Sequence, residues 1–100
     1  MNSHFLSTLG LAMRAGKLTF GFDTVKAAVQ AGQVFLLMTA EDLSPKTVKE
    51  TRFLAESQQI PWLSLPITMD GIAAAIGKKT GVIAITEEGL AARLKEQAAS

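Results

Sequence analysis

The sequence predicts an α/β protein with helices on both faces of a sheet, a three-layer α/β/α sandwich. Three observations carry this expectation. Four short apolar runs alternate with segments of helical period, helical segments open on capping side chains, and most of them close on glycine. A chain of 100 residues, 48% of them hydrophobic, can close one core but not two, so one domain over residues 1–100 is expected.

Ser3 is the expected cap of a first helix in which Leu6, Leu9 and Met13 fall at helical spacing, and Gly16 follows its end. Leu18, Thr19 and Phe20 suffice only for an edge strand. Phe22, Val25 and Val29 mark a second helix that runs to Gly32. The unbroken apolar run 34–38 lies between Gly32 and Glu41-Asp42, which suits a central strand covered on both faces. Ser44-Pro45 joins a capping hydroxyl to a proline in the first turn and predicts a helix to about Gln58, ahead of Pro61. Residues 62–65 form the next strand.

Thr68 opens a short helix carrying Met69, Ile72 and Ile76 on one face, and Gly77 closes it. Residues 82–85 supply the last strand. Thr86 is the expected cap of a terminal helix in which Glu87 and Glu88 sit at the positive end of the dipole and Leu90 and Leu94 face inward. Residues 97–100 are expected to fray.

Composition removes several function classes. No cysteine is present, which excludes disulfides, thiolate metal sites and thiol nucleophiles. No basic region precedes the apolar start and no uncharged run approaches a membrane span, so a cytoplasmic protein without a membrane partner is expected. Ten Lys and Arg against nine Asp and Glu leave a net charge of +1, which permits nucleic-acid binding without demanding it.

Chemistry is sparse. His4, the single histidine, has no carboxylate within a helical turn to orient it as a base, and no serine stands in a glycine-flanked elbow. The interval from Gly71 to Gly77-Lys78 is one residue too long for a phosphate-binding loop; that from Gly16 to Gly21 is right, but Phe22 stands where lysine is required. Glu41-Asp42, just past the central strand, invites a metal or acid-pair reading, yet it has no third ligand nearby and reads as an ordinary acidic turn. No enzyme, cofactor or metal is expected, and an enzymatic reading would have only His4, Glu41 and Asp42 to use.

Two segments carry a binding argument. Residues 14–26 hold Arg14, Lys17 and Lys26 against Asp23 alone, and a helix opens straight after Gly21. The first amides of a helix lack internal partners and sit at the positive end of its dipole, a natural seat for phosphate, and Lys17 would add a direct charge. Residues 77–82, GKKTGV, join a helix to a strand with two adjacent cations, two glycines and no acid. Backbone can approach a polyanion closely there, while Ile76 or Val82 would pack on a base or ribose.

Residues 9–18 (LGLAMRAGKL), 21–32, 40–45 (AEDLSP) and 76–85 (IGKKTGVIAI) together resemble the kink-turn-binding ribosomal-protein superfamily, the archaeal "L seven Ae" and eukaryotic "L thirty e" group, most of all its small bacterial YlxQ-like branch. The similar stretches cover nearly the whole chain. What the resemblance implies is an α/β/α sandwich with a four-stranded mixed sheet that recognises a sharply bent internal loop of RNA. The family's Gly-Lys-Leu run and following glycine match Gly16, Lys17, Leu18 and Gly21, and its lysine there contacts RNA backbone. After that glycine the family presents an asparagine, a glutamate and, three residues later, a lysine that read bases; here these positions hold Asp23, Thr24 and Ala27. Lys26 is one place away and would point elsewhere on the helix.

The resulting expectation is a monomer that binds structured RNA, ribosomal or otherwise non-coding, without catalysis. Lys17, Gly21, Phe22, Asp23, Thr24, Lys26, Ile76, Gly77, Lys78, Lys79 and Thr80 are the expected RNA-binding residues, with the turns after Ala15 and Ile76 as neighbours on one surface. The alternative is a protein-interaction adaptor of a ribosome or transcription complex that keeps the fold without kink-turn recognition, using Phe20, Phe22 and Trp62 as exposed contacts.

Overall fold

A computed structural model of the chain describes residues 2–99. Its elements run α1 (Ser3–Arg14), β1 (Leu18–Phe20), α2 (Phe22–Gln30), β2 (Leu36–Thr39), α3 (Pro45–Ser57), β3 (Trp62–Ser64), α4 (Met69–Ile76), β4 (Val82–Ile85) and α5 (Glu88–Ala99). The strands form one four-stranded sheet in the order β1-β4-β2-β3. β4 runs antiparallel to both β1 and β2, whereas β2 and β3 are parallel and joined through α3, so the sheet is mixed.

Alternation along the two inner strands divides the core. Leu36, Met38, Ile83 and Ile85 face a cluster with Phe5 and Leu9 of α1, Ile72 of α4 and Leu94 of α5. Leu37, Val82 and Ala84 face the other way, onto Val25 and Val29 of α2 and Ala55 of α3. Both inner strands are buried throughout, which is why they read as unbroken apolar runs instead of alternating ones. The molecule is thus an α/β/α sandwich.

Several boundaries differ from the sequence expectation, each for a local reason. Asn2 caps α1, its Oδ1 accepting from the Phe5 amide at 2.8 Å, and Ser3 becomes the first helical residue. Val34 is buried but unpaired, and β2 begins two residues later than the run 34–38 suggests, at Leu36. Leu65 also lies outside β3, although its amide still donates to the Thr39 carbonyl. Thr86 does not cap α5. Its amide donates to the Lys17 carbonyl, and the Glu87 carboxylate accepts from the Leu90 amide instead. α5 continues to Ala99, and the Gln97 carbonyl accepts from Asn2 Nδ2; Ser100 lies outside the described residues.

The caps of α3 and α4 are those expected. Ser44 Oγ accepts from the Thr47 amide, and Thr68 Oγ1 accepts from the Gly71 amide at 3.1 Å. Thr68→Ala should therefore lower stability by about 1 kcal/mol, read as a lower urea midpoint at unchanged slope. An unchanged midpoint would show that Asp42, whose carboxylate accepts from the neighbouring Met69 amide, caps α4 unaided.

Candidate nucleic-acid interface

The pairing register brings the ends of β1, β2 and β3 to the same end of the sheet, where β4 begins: Phe20 lies opposite Ile83, Thr39 opposite Val82, and Ser64 opposite Thr39. Three helices, α2, α3 and α4, start from this end. Backbone bonds tie the loops together, with Gly21 donating to the Val82 carbonyl at 3.1 Å, Ala40 to Gly81 at 2.9 Å and Glu41 to Ile67 at 2.9 Å. The positive ends of three helix dipoles and the loop 77–81 are gathered in one place.

Among these helix starts α2 differs. Side chains cap α3 and α4, but α2 follows Gly21, which has no side chain, and no side-chain hydrogen bond caps it. Its opening amides at Phe22, Asp23 and Thr24 have no partners within the helix, while the Val25 amide is the first to bond back, to Gly21. Gly21 holds φ 85° and ψ 138°, a conformation that side chains disfavour. Asp23 and Thr24 are exposed beside these amides.

The loop beside it begins where Gly77 closes α4 in the left-handed conformation. Lys78 is exposed and makes no ion pair among the described residues. Lys79 Nζ lies 3.2 Å from Asp70 Oδ1, with both side chains largely in water, so a phosphate can replace that partner at small cost. Thr80 is buried, its hydroxyl bonded to both the amide and the carbonyl of Val82. Ile76 and Val82 are buried too, so neither offers a surface to a base as the sequence suggested.

Lys17 is not part of this cluster. Its carbonyl accepts from Thr86, beyond the far end of β4, so the length of β1 separates it from Gly21, about 13 Å of extended backbone. The two glycine-flanked turns expected to be neighbours therefore lie at opposite ends of the sheet, and the neighbours are the start of α2 and the loop 77–81. Lys26 is exposed and lines, with Phe22, a groove between α2 and α3 whose lining does not include Lys78.

The aromatics expected to be exposed are packed. Phe20 belongs to the α1, α4 and α5 side of the core, and Phe22 and Trp62 to the other. The Arg52 guanidinium lies 5.6 Å from the centre of the Trp62 ring. The most exposed aromatic among the described residues is Phe53, 72% accessible, ahead of Phe35 at 39%, and sequence reasoning missed it. The signal was there: Thr51 and Ala55, one helical turn apart, form the buried face of α3, and Phe53 between them must point outward.

These features define a class of α/β/α proteins that present an uncapped helix start and a lysine-bearing glycine loop at one end of a mixed sheet. A profile of the ribosomal protein L7Ae/L30e/S12e/Gadd45 family matches residues 3–95, and the chain belongs to that family. It is 31% identical over 91 residues to the RNA-binding protein YlxQ of Enterococcus faecium, covering 91% of this chain and 87% of that one. A protein with unknown function from Bacillus halodurans has a similar structure, with TM-score 0.93, 33% identity, and coverage of 99% of this chain and 100% of that one. The Giardia lamblia 15.5kD RNA binding protein shares the fold at TM-score 0.78 and 17% identity, covering 99% and 91%. No helix among the described residues is long and apolar enough to cross a membrane.

Proposed function

We propose that this protein binds structured RNA, a kink-turn-like internal loop of ribosomal or other non-coding RNA, and performs no catalysis. The observation that carries the reading is the uncapped start of α2 beside the loop 77–81. Free amides at Phe22, Asp23 and Thr24 receive one phosphate, and Lys78 and Lys79 neutralise others, while Gly77 lets the sugar-phosphate chain approach the backbone. Asp23 and Thr24 stand next to those amides, where they meet base edges: Asp23 accepts from exocyclic amines and Thr24 either donates or accepts. Membership of a family with an RNA-binding relative supports this reading. On it, the protein acts as a cytoplasmic monomer alongside the proteins that share its RNA.

Gel-shift titration over a range of salt tests the proposal. Affinity for a kinked loop should exceed that for plain duplex and fall with a log-log slope of roughly minus two to minus three, for about three phosphates neutralised. No slope, or no preference, would sink it. Lys78→Ala should weaken binding by roughly 0.5 to 2 kcal/mol and flatten the slope by about one unit, whereas Lys17→Ala, one strand length away, should leave both nearly unchanged. The opposite ranking would move the interface to the other end of β1.

A further inference from the structure

A groove of about 550 Å³ separates α2 from α3 and begins at Phe22, the first residue of α2 and a member of the proposed interface. We infer that this groove takes an unpaired, single-stranded stretch of the same RNA, with a base stacked on Phe53 and its phosphates held between Lys26 and Lys49. The inference rests on the RNA-binding reading of the α2 start and extends it to a second subsite.

Four observations support this occupant. Phe53 is 72% exposed, and a flat ring left in water is a stacking surface for any base. Lys26 on α2 and Lys49 on α3 bring a cation to each wall, against Glu50 as the acid among the lining residues. Phe22 and Leu54, half-buried in the core cluster below, give the groove an apolar floor. The groove also includes Phe22, the first residue of α2, in its lining, so it borders the α2 start. A protein partner fits less well. A stable protein interface covers about 800 Å² on each side, and the strongly exposed apolar surface here is one ring.

The probes are one kinked-loop RNA with blunt ends and two versions bearing a six-uridine tail, one on each strand end that flanks the loop. One tailed form should bind the wild-type protein about tenfold tighter than the blunt form. Phe53→Ala and Phe53→Leu should each remove that gain and leave affinity for the blunt RNA unchanged; Phe53 is exposed, so the fold survives both. Lys26→Gln combined with Lys49→Gln should reduce the tail's own salt slope by about one unit, for one or two phosphates released. Blunt RNA bound with no gain from either tail, or a gain that survives both Phe53 variants, overturns the subsite and leaves the α2 site standing. Failure of the blunt RNA to bind sinks both readings together. Nuclease-resistant capture of a protein, lost in Phe53→Ala, would also overturn it in favour of a protein occupant.

Discussion

Ile83→Ala should destabilise the protein by about 2 to 5 kcal/mol, the largest single loss expected from any substitution considered. Ile83 is fully buried in β4, an inner strand, and faces the cluster built from α1, α4 and α5. Phe20 of β1 stands opposite it on one side and Met38 of β2 on the other. Truncation removes contacts to both and leaves a cavity that neither strand can close, because hydrogen bonds to β4 fix their positions. A domain with about 5 to 15 kcal/mol of stability loses a large part of it. Urea unfolding should show a lower midpoint with an unchanged slope. A loss below about 1 kcal/mol would mean that the helices above the sheet settle into the gap.

The largest functional effect should come from Gly21→Ala. The added methyl meets nothing within 4 Å, so crowding is not the difficulty. The cost lies in the backbone: φ 85° with ψ 138° is close to a region that only glycine occupies readily, and alanine there costs roughly 1 to 3 kcal/mol. To relieve that strain, residue 21 must rotate, which pulls its amide from the Val82 carbonyl and re-aims the three free amides of α2. Affinity for kinked RNA should fall by about tenfold or more, with far-UV circular dichroism unchanged. Gly32→Ala is the control, since its φ is also positive, 73°, and an added methyl again meets nothing within 4 Å, but it lies past the other end of α2, away from the free amides. Undiminished RNA affinity in Gly21→Ala would remove the α2 amides from the interface.

Most of the fold was legible because its signals are local. Val82–Ile85 is apolar throughout since both of its faces are covered, and Ser44 and Thr68 cap helices through bonds to amides only three residues on. The misses have equally local causes. Asn2 and Ser3 are both good caps in adjacent positions, and Asn2 takes the role while its Nδ2 also reaches the distant Gln97 carbonyl. At the start of α5, Thr86 is held by its bond to Lys17, a partner that no window of neighbouring residues contains.

The candidate interface was half legible. An uncapped helix start after Gly21 follows from the order of residues, as does a basic glycine loop at 77–81. Lys17 stands at the start of β1 and Gly21 just past its end, about 13 Å apart along extended backbone, so only one of them can border the loop 77–81. Whether β1 runs antiparallel to β4, and hence which of its ends meets Lys78, is a matter of long-range pairing that periodicity does not encode. The Lys79 pair with Asp70 and the outward ring of Phe53 depend on side-chain direction, and only the second could have been worked out from helical spacing.

β4 lies between β1 and β2 in the sheet, although residues 21–81 separate it from β1 and residues 40–81 from β2. A nascent chain that has not yet released residues 82–85 from the ribosome can pair β2 with β3, but it has no partner for β1 and no carbonyl at Val82 to anchor Gly21. The proposed site is therefore complete only once β4 is in place.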